Sequence, residues 1–132
     1  MTDDPQLNRL FEYTKFHIGI YLTIGGGLVT LLGAGKDGGW AYKLIGCPML
    51  LLVGLVLMTC AGAAGGVIAS STTTCKTFDE LWKGQQGPYR WKVFTGETWG
   101  QIEHVSFWLA VVAIAGSVLC SRDLWRWIAT GH

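Results

Sequence analysis

An all-α protein embedded in a membrane is what this sequence predicts, and three observations carry the prediction. Three long apolar runs lie at about residues 16–34, 48–69 and 102–120, each bracketed by Gly, Pro, charged or aromatic residues. A helix crossing the hydrocarbon core needs about 20 mostly apolar residues, so each run has the length of one span. Half of the 132 residues are hydrophobic, 14% are charged, and 19 glycines stand against a single asparagine, Asn8; Gly is commoner in membrane helices than in soluble ones. The polar segment at about residues 75–101 interleaves Phe78, Trp82, Tyr89, Trp91, Phe94 and Trp99 with Lys76, Lys83, Arg90 and Lys92, the mixture expected of chain lying among lipid headgroups. The expected class is an integral membrane protein with three transmembrane helices and an interfacial aromatic-rich loop between helices two and three. About 60 residues within the bilayer leave little for a separate soluble domain, so residues 1–132 read as one membrane-embedded helical domain.

Helix one starts before its apolar run. Thr2, Asp3 or Asp4 can cap it, Pro5 suits a first helical position, and Leu7, Leu10 and Phe11 continue at helical spacing, so it begins in the interface and enters the membrane near Phe16. The glycine-rich residues 33–39 end it. Reading this run as a cleaved secretory signal fails on charge: Asp3, Asp4 and Glu12 oppose Arg9 and Lys15, and His17 and Tyr21 interrupt the apolar stretch.

Helix two opens at Pro48, whose missing N–H would have no intrahelical partner there, leaving residues 40–47 as an interfacial approach. It closes at residues 70–74. Residues 77–83 can form a short interfacial helix before the Gly84 to Pro88 break. Thr98 followed three residues later by Gln101 matches a capping box, placing the start of helix three near Trp99 and its end near Arg122. Trp82, Trp91, Trp99, Trp125 and Trp127 are the expected interfacial anchors, the last two with Arg122 and Arg126 at the C-terminal end.

Three spans put the N-terminal tail and the second loop on one side, with Arg9, Lys15, Lys76, Lys83, Arg90 and Lys92, against Lys36, Lys43, Arg122 and Arg126 on the other. Six against four favours the N-terminus inside. The net charge of +1 and the scattered basic residues argue against a nucleic-acid surface.

Small residues recur at three- and four-residue intervals on helix one, at Gly19, Thr23, Gly26, Gly27, Thr30 and Ala34, and on helix two, at Gly54, Ala61, Gly62, Gly65, Gly66 and Ala69. Close backbone approach through such residues is a main source of helix association in lipid, so helices one and two are expected to form a tight hairpin.

The chemically able residues are few. His17 enters the first run, Glu103 and His104 enter the third, and parallel helices one and three bring both histidines near one membrane face. Opposed imidazoles can ligate a haem iron, or with Glu12 or Glu103 bind a metal or relay protons, because ionisable groups within spans are costly unless partnered or functional. Interfacial anchoring with hydrogen bonds to Tyr13 or Tyr21 is the competing expectation, and His17 projects opposite the small-residue stripe, away from where helix three was expected. The cofactor is therefore unknown, with haem possible but not favoured. The four cysteines show no metal spacing; Cys47 and Cys120 share a face and can in principle be bridged, while free buried thiols are the default. No catalytic fingerprint occurs. The functional expectation is a small non-catalytic multi-pass subunit of a larger membrane complex, or a homo-oligomer, whose partners are the lipid bilayer and other membrane subunits or copies of itself. The alternatives are a cofactor-binding electron- or proton-transfer subunit built on His17 and His104, and an oligomeric pore-forming effector lined by Thr23, Thr30, Thr59 and Ser106.

Overall fold

The computed structural model describes residues 4–34 and 43–131, without the side chains of Ala34 and Arg90. Helix α1 spans Pro5–Ala34 and α2 spans Pro48–Ser71. A short helix α3, Phe78–Lys83, leads into strand β1, Gln85–Gln86, a 3₁₀ turn at Pro88–Arg90 and strand β2, Phe94–Thr95. Helix α4 covers Gly96–Leu119, and α5, Arg122–Thr130, follows. Among the described residues three helices, α1, α2 and α4, are long and apolar enough to cross a membrane, and the all-α, multi-pass class follows from them. The glycine-rich stop at 35–39, residues 40–42 of the approach to helix two, and Thr2 and Asp3 as caps lie outside the described residues.

Capping explains where the helices start. Asp4 Oδ1 accepts from the Gln6 and Leu7 N–H groups at 2.8 and 3.3 Å, with Pro5 at the first helical position. Thr77 caps α3 by accepting from the Glu80 N–H at 3.2 Å, and Glu80 reaches back to the Lys76 N–H at 2.8 Å, much as in a capping box. Helix α4 starts earlier than expected: the cap is Thr95, whose Oγ1 accepts from the Thr98 N–H at 3.2 Å, so Thr98 lies inside the first turn. Nor does the helix run to Arg122. It ends at Leu119, and Ser121 caps a separate helix α5 through the Leu124 N–H at 3.2 Å.

Thirty residues of α1 make a rod of about 45 Å, longer than the roughly 30 Å hydrocarbon core, so its first turns stand at the face occupied by the 75–101 segment. There Leu7 joins Ile68, Cys75 and Leu81 in a buried cluster, with Leu10, Trp82 and Trp99 packed against it. Trp82 and Trp99 thus serve as packing residues as much as anchors, and Trp99 Nε1 donates to the Gln86 carbonyl at 2.9 Å. Trp91, Trp125 and Trp127 are exposed. The loop contains a feature not expected from sequence, a two-residue antiparallel pairing of Gln85 with Thr95 and Gln86 with Phe94.

The helix seams repeat every seven residues. On α1, Leu7, Thr14, Tyr21 and Leu28 are buried, with half-buried Leu10, His17, Ile24 and Leu31 between them. On α4 the stripe is Gly96, Gly100, Glu103, Ala110 and Ser117, with Phe107 and Ile114 interleaved. Helix α2 is central, burying Leu51, Gly54, Met58, Ala61, Ala64, Gly65, Val67, Ile68 and Ser71 between its two neighbours.

Helices α1 and α2 pack together, but not through the small residues of α1 that were expected to join them. The closest pairing is α2 with α4, running antiparallel, while α1 leans on α2 through its large residues. Gly54 is where α4 comes nearest: a Cβ there would stand 2.7 Å from Ile114 Cγ1. Gly62 and Gly65 do face α1, under Tyr21 and Ile18 respectively, and Gly65 also meets Glu103. By contrast, among the described residues no neighbouring atom lies within 4 Å of the Cβ position of Gly66, Gly19, Gly26 or Gly27, and Thr23 is exposed. The physical reason is geometric: α1 offers two stripes on opposite sides, and the one with more apolar volume to bury faces inward. All four cysteines are free, and only Cys75 is buried; Cys60 and Cys120 are exposed.

Candidate functional site

The heptad stripe of α4 places one acid among its small and apolar members. Glu103 is 1% exposed and stands seven residues before Ala110 on the seam against α2. Room for its carboxyl comes from Gly65, where a Cβ would lie 3.5 Å from Glu103 Cδ. The same inward stripe of α1 supplies the partners: Tyr21 donates its hydroxyl proton to Glu103 Oε1 at 2.9 Å, and His17 Nδ1 meets the same oxygen at 3.3 Å. His17 therefore faces α4, against expectation, because the small-residue stripe opposite it faces away from the bundle.

A second imidazole completes the cluster. His104 Nδ1 lies 2.8 Å from the Gly100 carbonyl, which can only accept, so Nδ1 carries the proton and Nε2 accepts from the Tyr13 hydroxyl at 3.3 Å. The Tyr13 and His17 rings are 4.0 Å apart and the His17 and His104 rings 6.0 Å apart, edge to face. The cluster is graded in exposure. His104 and Tyr13 are exposed, the His17 side chain is 20% exposed, and that of Glu103 is 2% exposed.

These donors do not suit bis-histidine ligation of haem as they stand. His104 has both nitrogens engaged with protein atoms, and His17 turns Nδ1 toward Glu103. Among the described residues no group of three or more His, Cys, Asp or Glu side chains gathers as a metal site would require. Paired as it is with an acid and two phenols, the cluster is equipped to hold and pass protons.

A second feature lies on the far side of α1. Gly19, Thr23, Gly26, Thr30 and Gly33 form an exposed ridge of small residues, and the Thr23 and Thr30 hydroxyls donate to the Gly19 and Gly26 carbonyls at 2.9 Å. An apolar groove of about 460 Å³ runs beside it between α1 and α2, walled by Gly25, Gly26, Leu55, Thr59 and Gly62.

The seam and its polar cluster define a class: a helical membrane bundle of three crossings with an acid–imidazole pair inside it. No protein-family model, curated protein or solved structure matches the chain.

Proposed function

We propose that the protein is a small non-catalytic membrane subunit that assembles with other membrane helices, from partner chains or copies of itself, through the outer face of α1, with its N-terminus inside. The uncovered ridge of α1 carries this reading. Glycine weakens a helix by about 0.5–1 kcal/mol relative to alanine, so Gly19, Gly26, Gly27 and Gly33 lower the stability of α1 while no atom of another described element lies within 4 Å of their Cβ positions. Close approach of another helix backbone is what such a ridge permits in lipid. The test is native mass in mild detergent. The parent should run with partners or as an oligomer, and a Gly19→Leu, Gly26→Leu double variant should run as a protomer of unchanged thermal stability; a parent that is already a lone protomer sinks the reading.

A second reading is favoured by Glu103: a proton-transfer subunit in which Glu103 and His17 are the exchanging pair. An ionisable side chain buried inside a span points to function by default, because its charge is costly there. Loss of proton-coupled activity of the host complex in Glu103→Gln, with assembly intact, supports it.

A further inference from the structure

We propose that Glu103 is a proton-binding site that exchanges with one side of the membrane only, the side holding the 75–101 segment, and that His17 is the group that carries the proton in and out. This rests on the second reading above and adds to it a direction and a carrier.

The path toward the loop face is short and polar. From Glu103 Oε1 the next group is His17 Nδ1 at 3.3 Å, and the His17 ring touches Tyr13, which with His104 is exposed. One turn before His17 on the same inner stripe, Thr14 is 1% exposed, and its hydroxyl is the only buried side-chain polar atom among the described residues without a partner. Thr23, Thr30 and Thr59 each donate to the carbonyl four residues back; Thr14 does not, although the same bond is open to it in a helix. Its hydroxyl is thus free to bond a water entering the seam beside His17.

The path toward the other face is long and apolar. Beyond Tyr21 the core consists of Met58, Ala61, Ala110 and Phe107, then Leu28, Leu51, Ile45 and Ile114. The next buried polar side chain on α4 is Ser117, fourteen residues or about 21 Å further along, and its hydroxyl is committed to the Cys47 carbonyl at 2.7 Å. Among the described residues no buried proton carrier stands between.

The titratable groups facing Glu103 are few enough to name. From α1 they are His17 and Tyr21, with Tyr13 behind His17; on α4 it is His104; α2 presents Gly65 and has no charged side chain anywhere along it. The transfer balances with these alone. A hydronium ion on the loop face gives its proton to Nε2 of neutral His17 and leaves as water, the imidazolium passes its Nδ1 proton to Oε1, and the carboxylate becomes a carboxylic acid beside a neutral ring, whose Nε2–H form returns to the Nδ1–H form by proton exchange with water. Tyr21 keeps its hydrogen bond to the carboxyl in both states.

Proteoliposomes of the full chain, sorted into loop-outward and loop-inward populations by protease access to the 75–101 segment, provide the test. The Glu103 carboxylic-acid infrared band, assigned by its loss in Glu103→Gln, is followed after an external pH step with the lumen strongly buffered. The expected result is a prompt response in the loop-outward population and none in the loop-inward one until a protonophore collapses the gradient. His17→Gln should slow the loop-side response on the order of a hundredfold, while His104→Gln slows it less. A response in both populations, or only in the loop-inward one, overturns the one-sided access. An undiminished rate in His17→Gln overturns the carrier. A band absent even with protonophore overturns the proposal and the proton-transfer reading together, whereas the first two results leave that reading standing.

Discussion

Gly54 and Gly26 are the same residue in two membrane helices, and their surroundings predict opposite outcomes for the same substitution. A Cβ on Gly54 would press on Ile114 Cγ1 at 2.7 Å and on the Ala110 carbonyl at 3.3 Å, and Gly26 meets nothing within 4 Å. Gly54→Ala is expected to lower stability in detergent by about 1–3 kcal/mol, the usual cost of overpacking, and Gly26→Ala to leave it equal or higher by about 0.4–1 kcal/mol. Thermal unfolding of the two proteins decides the matter; equal losses would mean that α1 turns its ridge inward. Asp4 supports a second prediction. Its Oδ2 accepts from the Phe78 N–H at 2.7 Å while Oδ1 caps α1, and the Phe78 bond first, then the Gln6 and Leu7 bonds, hold its carboxyl below the usual carboxylate range against a smaller opposing effect of burial. A group whose pKa falls on folding stabilises the fold above its ordinary pKa and loses that contribution as pH drops through the lowered value. The protection of the Phe78 amide, its exchange rate divided into the intrinsic rate at each pH, should therefore be high near neutrality and fall under acid conditions, and Asp4→Ala should show low protection at every pH. Asp4 as a cap was legible from sequence because capping is local. Its tie to Phe78, 74 positions away, was not, and neither was the inward turn of His17, which depends on which of two stripes the bundle buries.

At the scale of elements, caps and seams explain most differences between expectation and structure. The third apolar run continues through Cys120, which hides the helix boundary at Ser121. Yet Ser121, Arg122 and Asp123 carry the local signature of a new N-terminus, a capping hydroxyl followed by an acid in the first turn. The same hydroxyl that accepts from the Leu124 N–H donates to the Lys43 carbonyl at 2.7 Å, fastening the start of α5 to the approach into α2. Ser121→Ala should cost about 1 kcal/mol and fray both attachments, visible as faster hydrogen exchange at Leu124 and Trp125. Leu124, Trp125, Trp127 and Ile128 lie on one side of α5, Arg122, Asp123 and Arg126 lie on the other, and no residue of α5 is buried by protein. A helix with this division of apolar and charged sides is of the kind suited to a membrane surface. The β1–β2 pairing was not legible, because two-residue strands give no periodicity, and the hydrogen bond from Trp99 to the Gln86 carbonyl joins residues 13 positions apart. The seven-residue seam of α1 was legible in principle. Leu7, Leu10, Thr14, His17, Tyr21, Ile24, Leu28 and Leu31 recur at alternating spacings of three and four, but in lipid a stripe of large residues and a stripe of small ones both read as contact faces.

For the whole molecule, the class was the most legible property, since the length and apolarity of a span are fixed by the bilayer and not by any partner. Function was the least, because the groups that suggest it are single residues on separate helices. The number of crossings has a consequence that links both. Three spanning helices would put the two ends of the chain on opposite faces, and α1 and α4, parallel in the bundle, bring His17 and Glu103 together. If one of the three helices lay along the surface instead, α1 and α4 would not be parallel, and the contact between His17 and Glu103 at 3.3 Å would break. Topology and site therefore stand or fall together. Reporter fusions at the two termini, each active on only one side of the membrane, should give opposite results, and protease applied from the N-terminal side alone should cut at Tyr89 or within residues 91–93, which are exposed, Tyr89 to 93%. Both reporters on one side, or cleavage from the opposite side, would remove the intramembrane setting in which the burial of Glu103 has functional meaning.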